Sequence, residues 1–224
     1  MPGGPDRFSV EIAFTDTSVD VSEGAGRDAT RLTSELARLS AAIGVPLARM
    51  SQVHGEVVAE GAAVGAVPEA DALVTQEKSL ALMTRAADCV PVVLADARAG
   101  VVAAVHAGRA GVEAGVVSRA VESMRERGAN TIHAWIGPHV CGGCYEVPSD
   151  MRAEVARAVP ATWSETSWGT PSLDLGRGVE FQLESLGVAH ERVGGCTMED
   201  ESLWSHRRGG AAAGRLAGLV WMAT

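Results

Sequence analysis

The chain has 224 residues, of which 46% are hydrophobic and only 4% aromatic. This length suffices for one good-sized hydrophobic core and is short for two, so we expect a single domain spanning residues 1–224. A formal net charge of -9 at pH 7 repels phosphate backbones, which argues against nucleic acid as the main partner.

The sequence shows no targeting or membrane-spanning segment. Residues 1–7 lack the basic stretch and apolar run of a secretory signal. The longest apolar stretches, near Val90–Ala95 and Val101–Val105, are too short to cross a bilayer. We therefore expect a cytoplasmic protein with no membrane partner, either a monomer or a homodimer.

Hydrophobic periodicity predicts that strands and helices alternate along the chain. Predicted strands are Phe8–Phe14, Val57–Glu60, Ala72–Thr75, Val101–His106 and Thr131–Ile136. Predicted helices are Arg27–Ile43, Val112–Arg127, Ser149–Val159 and Leu175–Leu186, the last two with Ser149 and Asp174 as N-caps. Residues 215–222 suit a strand or a helix equally. The alternation indicates an α/β or α+β fold.

Three segments place a potential metal ligand beside turn-forming residues. They are Gln52-Val53-His54-Gly55, Ala87-Asp88-Cys89-Val90-Pro91 and Val105-His106-Ala107-Gly108. Two imidazoles and one thiolate suit Zn²⁺, and three protein ligands leave a fourth position open for water or substrate. The residues alone thus allow a catalytic zinc site, although dispersed His and Cys residues are also common in protein cores.

The same segments belong to a longer ordered set that covers nearly the whole chain. The set continues with Ala70-Asp71-Ala72-Leu73-Val74-Thr75, Ile136-Gly137-Pro138, Cys144-Tyr145-Glu146-Val147, Leu173-Asp174-Leu175, Cys196-Thr197, Arg207 and Gly214-Arg215. In order and spacing it resembles the laccase-domain family, also called the polyphenol oxidase family of bacterial purine nucleoside phosphorylases. The resemblance implies that His54, Cys89 and His106 bind zinc.

The resemblance also implies a fold and an activity. The implied fold is a layered sandwich of mixed β-sheets flanked by helices, related to a bacterial deamidase toxin. The implied activity is phosphorolysis of adenosine, inosine, guanosine and methylthioadenosine, with adenosine deamination in the same site. Purine nucleosides and phosphate are then the partners and zinc the cofactor, with copper as a less favoured metal.

Two segments depart from the family pattern. Where the family usually has Trp-Arg-Gly after His-Ala-Gly, this chain has Arg109-Ala110-Gly111, and the usual Ser-Tyr-Arg-Arg is Ser205-His206-Arg207-Arg208. The usual Thr-Gly-Arg is Ala213-Gly214-Arg215. We therefore expect the substrate range to differ while the metal ligands are kept.

Roles follow from the chemistry that each step needs. Arginine suits a phosphate dianion, and the candidates are Arg207 and Arg215, followed by Arg109 and Arg85. We assign Asp71 to the substrate-binding set and Asp88, with His54, Cys89 and His106, to the catalytic set. Either aspartate alternatively orients a metal-bound imidazole, shuttles protons or caps a turn.

Several alternatives remain open at this point. In a metal-independent hydrolase or deamidase, Cys89 would be a nucleophile activated by His106. Laccase chemistry needs more histidines than six could supply, although copper could occupy the same site. Zinc could also merely stabilise a scaffold if Cys144 or Cys196 were a fourth ligand.

Other cysteines and histidines have weaker signals. Cys141-Gly142-Gly143-Cys144 has the spacing of a redox pair or half a zinc site, but no second such pair exists. Cys196 is expected to be a small buried residue. The other histidines are expected to be structural or exposed, and they are His133, His139, His190 and His206.

Overall fold

The computed structural model describes residues 9–24, 26–63 and 67–223. The strands in these ranges are β1 (Ser9–Phe14), β2 (Leu47–Ala48), β3 (Val58–Glu60), β4 (Ala72–Thr75), β5 (Ala81–Ala86), β6 (Val90–Asp96), β7 (Val101–Ala107), β8 (His133–Ile136), β9 (Trp163–Glu165), β10 (Pro171–Leu173), β11 (Ala189–Arg192) and β12 (Leu216–Ala223). The helices are α1 (Ala29–Ile43), α2 (Arg109–Ala114), α3 (Val116–Glu126), α4 (Ser149–Ala158), α5 (Leu175–Ser185) and α6 (His206–Gly209). None of these helices combines the length and hydropathy that crossing a membrane requires.

Two mixed sheets form the centre of the molecule. The larger has six strands in the order β11-β8-β6-β7-β4-β3, and the smaller has four in the order β1-β12-β5-β2. Most neighbours are antiparallel, whereas β11 with β8, β3 with β4 and β2 with β5 run parallel. A two-stranded ribbon of β9 and β10 completes the strand content of the described residues.

The sheets and helices stack in four layers. Leu73 and Val93 of the larger sheet pack against Leu82 and Val220 of the smaller sheet, which forms a core between the sheets. Helices α2 to α5 cover the opposite face of the larger sheet, and α1 covers the opposite face of the smaller one through Leu39. The expected layered α/β sandwich with mixed sheets and flanking helices is confirmed.

Helix α5 begins at its predicted residue and α1 ends at its predicted residue, whereas α1 begins at Ala29 instead of the predicted Arg27. Asp28 caps α1 by accepting hydrogen bonds from the N–H groups of Thr30 and Arg31, and Gly44 ends it with a φ of 78°. Asp174 caps α5 by accepting from Arg177 N, as predicted.

Two helix predictions need correction. The predicted helix Val112–Arg127 is two helices, α2 and α3, because Gly115 adopts a φ of 88° and breaks the run. The predicted N-cap Ser149 is instead the first helical residue, and Pro148 is the cap. Proline has no N–H to satisfy and a φ suited to the start of a helix, which explains a start at this point.

The predicted strands are confirmed, with Phe8 outside the described residues, and residues 216–223 form a strand rather than a helix. Six strands were not predicted: the short strands β2, β9, β10 and β11, and the longer strands β5 and β6. Every residue of β5 and β6 is buried, because each of these two lies between neighbouring strands and two covered faces. Such strands lack the alternation of polar and apolar residues that marks a half-buried strand.

Candidate metal centre

Three side chains from distant parts of the sequence converge at one end of the larger sheet. One ligand atom from each of His54, Cys89 and His106 lies within 4.8 Å of the other two. The register of β6 and β7 explains part of this, since Val90 faces Ala107 and Cys89 directly precedes β6. His54 comes from the loop between β2 and β3, and its ring meets that of His106 edge-on at a centroid distance of 4.8 Å.

The loop carrying His54 is held by the side chain of Asp71, directly before β4, and by that of Gln52 within the loop. Asp71 accepts hydrogen bonds from the N–H groups of Val53, His54 and Gly55 at 3.2, 3.0 and 2.7 Å. Its carboxylate thereby organises a loop in which His54 has a left-handed φ of 64°. The Gln52 side chain adds two 2.8 Å hydrogen bonds to the backbone N–H and C=O of Arg85.

Asp71 also orients His106. Its Oδ1 lies 2.8 Å from His106 Nδ1 and accepts a hydrogen bond from the Nδ1–H group. The proton is thereby held on Nδ1, and Nε2 is the ring atom free to coordinate a metal. Burial lowers the pKa of His106, although the hydrogen bond to Asp71 acts in the opposite direction. The imidazole is therefore neutral at pH 7, which is the form that binds metals.

The backbone leaves room for an ion between the three ligands. A Cβ atom on Gly108 would lie 2.8 Å from His54 Cδ2, 3.3 Å from Cys89 Sγ and 3.4 Å from His106 Cε1. Glycine thus keeps a small space open that all three candidate ligands border. Two imidazoles and one cysteine sulfur around this space fit Zn²⁺.

Cys89 has a thiol that is hard to ionise without a cation. The side chain is partly exposed and lines a cavity. The protein atoms around it raise the pKa of the thiol to about 12, mainly through burial and secondarily through the negative charge of Asp88. A divalent ion would compensate the thiolate charge directly. Metal binding would therefore release the thiol proton.

Asp88 anchors the turn that presents Cys89. It has a φ of 90°, and its carboxylate accepts hydrogen bonds from Thr197 Oγ1 and Arg207 N, both at 2.6 Å. Neither of its oxygens contacts the rings of His54 or His106. Asp88 therefore ties the Cys89 turn to two later segments of the chain instead of orienting an imidazole.

A cavity of about 640 Å³ opens beside the three ligands. Such a volume suits a ligand of nucleoside size. Its walls include His54, Cys89, His106, Asp88, Glu23, Arg85, Arg109, Tyr145, Leu175, His206, Arg207 and Arg215. Asp71, expected to bind substrate, is instead fully buried behind His106 and does not line the cavity.

The four candidate arginines all line the cavity, but they differ in their partners. Arg85 pairs with Glu23 at 2.5 Å, and Arg109 pairs with Glu113 at 3.3 Å. Arg207 donates to the Glu146 carbonyl at 2.6 Å and stacks over Tyr145. Arg215 donates to two backbone carbonyls, and no carboxylate of the described residues forms an ion pair with it.

The remaining cysteines form a second cluster, separate from the first. Sulfur atoms of Cys141, Cys144 and Cys196 and a carboxylate oxygen of Glu199 all lie within 4.8 Å of one another. The expectation that Cys196 is buried is wrong, since its side chain is partly exposed. Burial and neighbouring thiols raise the pKa of Cys141 and Cys144.

The other histidines do not join either cluster. His139 is buried and its Nδ1 lies 2.7 Å from the Gly137 carbonyl, a structural contact. His133 stacks on Trp135. His206 lines the cavity, at the position where the family usually has tyrosine.

The fold and site together define a layered α/β protein in which three candidate metal ligands lie beside a cavity. A family model described as multi-copper polyphenol oxidoreductase laccase matches residues 11–223. The chain therefore belongs to this laccase-like polyphenol oxidase family.

Relatives with established names share a common description. A Streptomyces griseus protein named purine nucleoside phosphorylase is 54% identical over 180 residues, covering 77% of this chain and 73% of its own length. A Streptomyces coelicolor protein of the same name is 47% identical over 230 residues, covering 98% and 94%. The crystal structure of a Neisseria meningitidis protein matches with a TM-score of 0.84 and 26% identity, over 98% and 96% of the two chains.

Proposed function

We propose that the protein is a zinc-dependent purine nucleoside phosphorylase whose metal is held by His54, Cys89 and His106. The observation that carries the proposal is the convergence of these three ligand atoms within 4.8 Å at the wall of a cavity of nucleoside size. The names of the Streptomyces relatives support the choice of substrate class.

The chain's own residues supply the positioning. Asp71 fixes the tautomer of His106 and the loop of His54, so two ligands are preorganised by one carboxylate. Zinc held by His54, Cys89 and His106 would supply Lewis-acid chemistry at the wall of the cavity that these residues line. Gly108 keeps that region free of side-chain atoms.

Phosphate binding is assigned first to Arg215. Its partners are backbone carbonyls, and among the described residues no ion pair neutralises its positive charge. Arg207 is the second candidate, because its guanidinium already lies at the cavity wall beside Tyr145. Arg85 is the weakest candidate because Glu23 neutralises it.

Adenosine deamination is the second candidate activity. The group that lines the cavity has three protein ligands among the described residues, and three-ligand zinc sites are typical of enzymes that activate water. In deamination, water attacks C6 of adenine and ammonia leaves, whereas in phosphorolysis phosphate attacks C1′ of the ribose and the purine base leaves. The substrate range proposed is adenosine, inosine, guanosine and methylthioadenosine.

Two rival mechanisms fit the site less well. A metal-independent Cys89 nucleophile requires a readily ionised thiol, whereas burial raises the pKa of Cys89 to about 12. Multicopper oxidation requires many histidines, whereas only His54 and His106 among the described residues belong to a ligand cluster. A single copper ion at the same three ligands remains an outcome that metal analysis would reveal.

The test is to incubate purified protein with adenosine, with and without phosphate, and to separate adenine, inosine and hypoxanthine by chromatography. We expect phosphate-dependent adenine release that is lost on chelation and in Cys89→Ala. Inosine formed without phosphate would establish deamination. Activity that survives complete zinc removal, yet disappears on alkylation of Cys89, would refute the metal mechanism and favour the nucleophile.

A further inference from the structure

We propose that Cys141, Cys144, Cys196 and Glu199 form a second zinc site, closed and structural, that is separate from the candidate catalytic centre. Three sulfur atoms and one carboxylate oxygen of these residues lie within 4.8 Å of one another. The two ligand groups share no residue. The second site therefore does not depend on the function proposed for the first.

Two similar turns present the four ligands. In the first, Cys144 N donates to the Cys141 carbonyl at 3.0 Å, which places the side chains of positions i and i+3 together. In the second, Glu199 N donates to the Cys196 carbonyl at 3.1 Å and creates the same arrangement. A four-ligand site needs a second pair of ligands beside the Cys-x-x-Cys pair. The Cys-x-x-Glu pair, more than 50 residues later in the sequence, supplies it.

The two turns are joined directly. Cys141 N donates a hydrogen bond to Cys196 Sγ at 3.3 Å, and His139 and Cys196 form a parallel β-bridge. A backbone N–H aimed at sulfur stabilises a thiolate, as it does any anion. Gly142 is required within the first turn, because a Cβ there would meet Ser164 Oγ at 2.6 Å.

The donor set and spacing favour zinc. Thiolates select soft or borderline ions, and four protein ligands in a tetrahedron are typical of structural zinc. With a Zn–S distance of about 2.3 Å, tetrahedral geometry separates the sulfurs by about 3.8 Å, so the cluster needs only a small contraction. Cys144 Sγ already donates to Glu199 Oε1 at 3.5 Å, and zinc would replace the thiol protons, which leave to solvent.

The position of the cluster gives the ion a role. Thr197, next to Cys196, donates to the Asp88 carboxylate, and Val140, next to Cys141, donates its N–H to the Asp88 carbonyl at 3.1 Å. Both segments that the ion would join therefore hold the turn presenting Cys89. Zinc in the cluster would stabilise that turn without contacting the cavity's metal.

The experiment counts metal ions in the full-length protein. Purified wild-type protein, dialysed without chelator, should contain two zinc ions per chain by elemental analysis. A His54→Ala, His106→Ala double variant should keep one. Replacing that ion with Co²⁺ should give an intense sulfur-to-cobalt charge-transfer band, which a site containing three thiolates produces and a nitrogen and oxygen site does not.

A conservative variant tests the fourth ligand. Glu199→Gln should weaken zinc binding at the cluster on the order of tenfold or more, because it removes a ligand charge. The control is Glu201→Gln, an exposed acid two residues later that is outside the cluster and should keep two ions.

The proposal is overturned if the folded double variant holds no zinc, or if Glu199→Gln binds it with unchanged affinity. It is also overturned if intact mass shows two hydrogens missing, since a disulfide among the three cysteines would replace the metal. None of these measurements uses catalytic activity. The zinc content of the second site can therefore be interpreted even if the protein proves not to be a purine nucleoside phosphorylase.

Discussion

Asp71 Oδ1 lies 2.8 Å from His106 Nδ1, and the same carboxylate accepts three backbone hydrogen bonds from the loop that carries His54. One fully buried side chain thus fixes two of the three candidate ligands. Burial would raise the pKa of Asp71, but its hydrogen bonds with His106, Gly55 and Val53 outweigh burial and lower it. The carboxylate is therefore ionised at neutral pH.

Asp71→Asn should weaken zinc binding by about 10- to 100-fold, because an amide cannot accept all four donors and does not fix the His106 tautomer. Zinc affinity measured by competition with a chromophoric chelator checks this. Asp28→Asn is the matched control, since asparagine caps a helix as well as aspartate does. Equal zinc affinity in Asp71→Asn and wild-type protein would contradict the positioning role.

Gly108→Ala should displace His54 and lower phosphorolysis on the order of a hundredfold, because misplacing a ligand by about 1 Å has effects of that size. The added Cβ would lie 2.8 Å from His54 Cδ2. Backbone strain is not the cause, since Gly108 has a φ of -76° that alanine adopts freely. The melting temperature and the zinc content should be measured together. Unchanged zinc content and activity would show that the space beside Gly108 is not needed.

The ligand residues could be found in the sequence because each lies beside turn formers, His54 within a loop and Cys89 and His106 at the ends of strands. Their convergence could not be derived from local patterns. It depends on the pairing of Val90 with Ala107 and on hydrogen bonds that Asp71 accepts from a loop 16 to 18 residues earlier. These contacts are non-local, so local sequence patterns do not predict that the three ligands form one site. Only the resemblance to a family predicts it.

Other features were missed for physical reasons that differ. Glu199 has no signal beyond its spacing from Cys196, and its partners at Cys141 and Cys144 lie 55 or more residues away. Glu23, which neutralises Arg85, lies in a segment without regular secondary structure. The sequence alone predicts that Asp71 binds substrate, because it does not distinguish residues that line a cavity from residues buried behind that lining.

Arg215→Gln should raise the KM for phosphate about 10- to 100-fold with a smaller change in the KM for nucleoside, because a charge-assisted hydrogen bond contributes about 1.5–3 kcal/mol. Arg109→Gln is the comparison, since Arg109 lines the same cavity but pairs with Glu113. Initial rates over a phosphate series would separate the two variants. Equal effects of both would assign the phosphate site to neither arginine in particular.

Asp96→Asn tests the fold away from both metal sites. Asp96 Oδ1 accepts from the N–H groups of Arg98 and Ala99, and Oδ2 accepts from those of Asn130 and Thr131 at 2.7 Å. The carboxylate thus joins the turn after β6 to the segment before β8. An amide has one oxygen, so two of the four donors would lose their acceptor, at a cost of about 1–3 kcal/mol for each buried group.

The pH dependence of this cost has a definite sign. Burial would raise the pKa of Asp96, but the four backbone hydrogen bonds outweigh it and hold the pKa below its ordinary value of 3.8. A carboxyl group with a lowered pKa stabilises the fold fully above its ordinary value and loses this contribution as the pH falls through the lowered value. The melting temperatures of wild-type and Asp96→Asn protein should therefore differ most near pH 7, and the difference should begin to shrink only as the pH falls below about 4. A difference that stayed constant down to pH 2 would show that the charge of Asp96 is not what joins these segments.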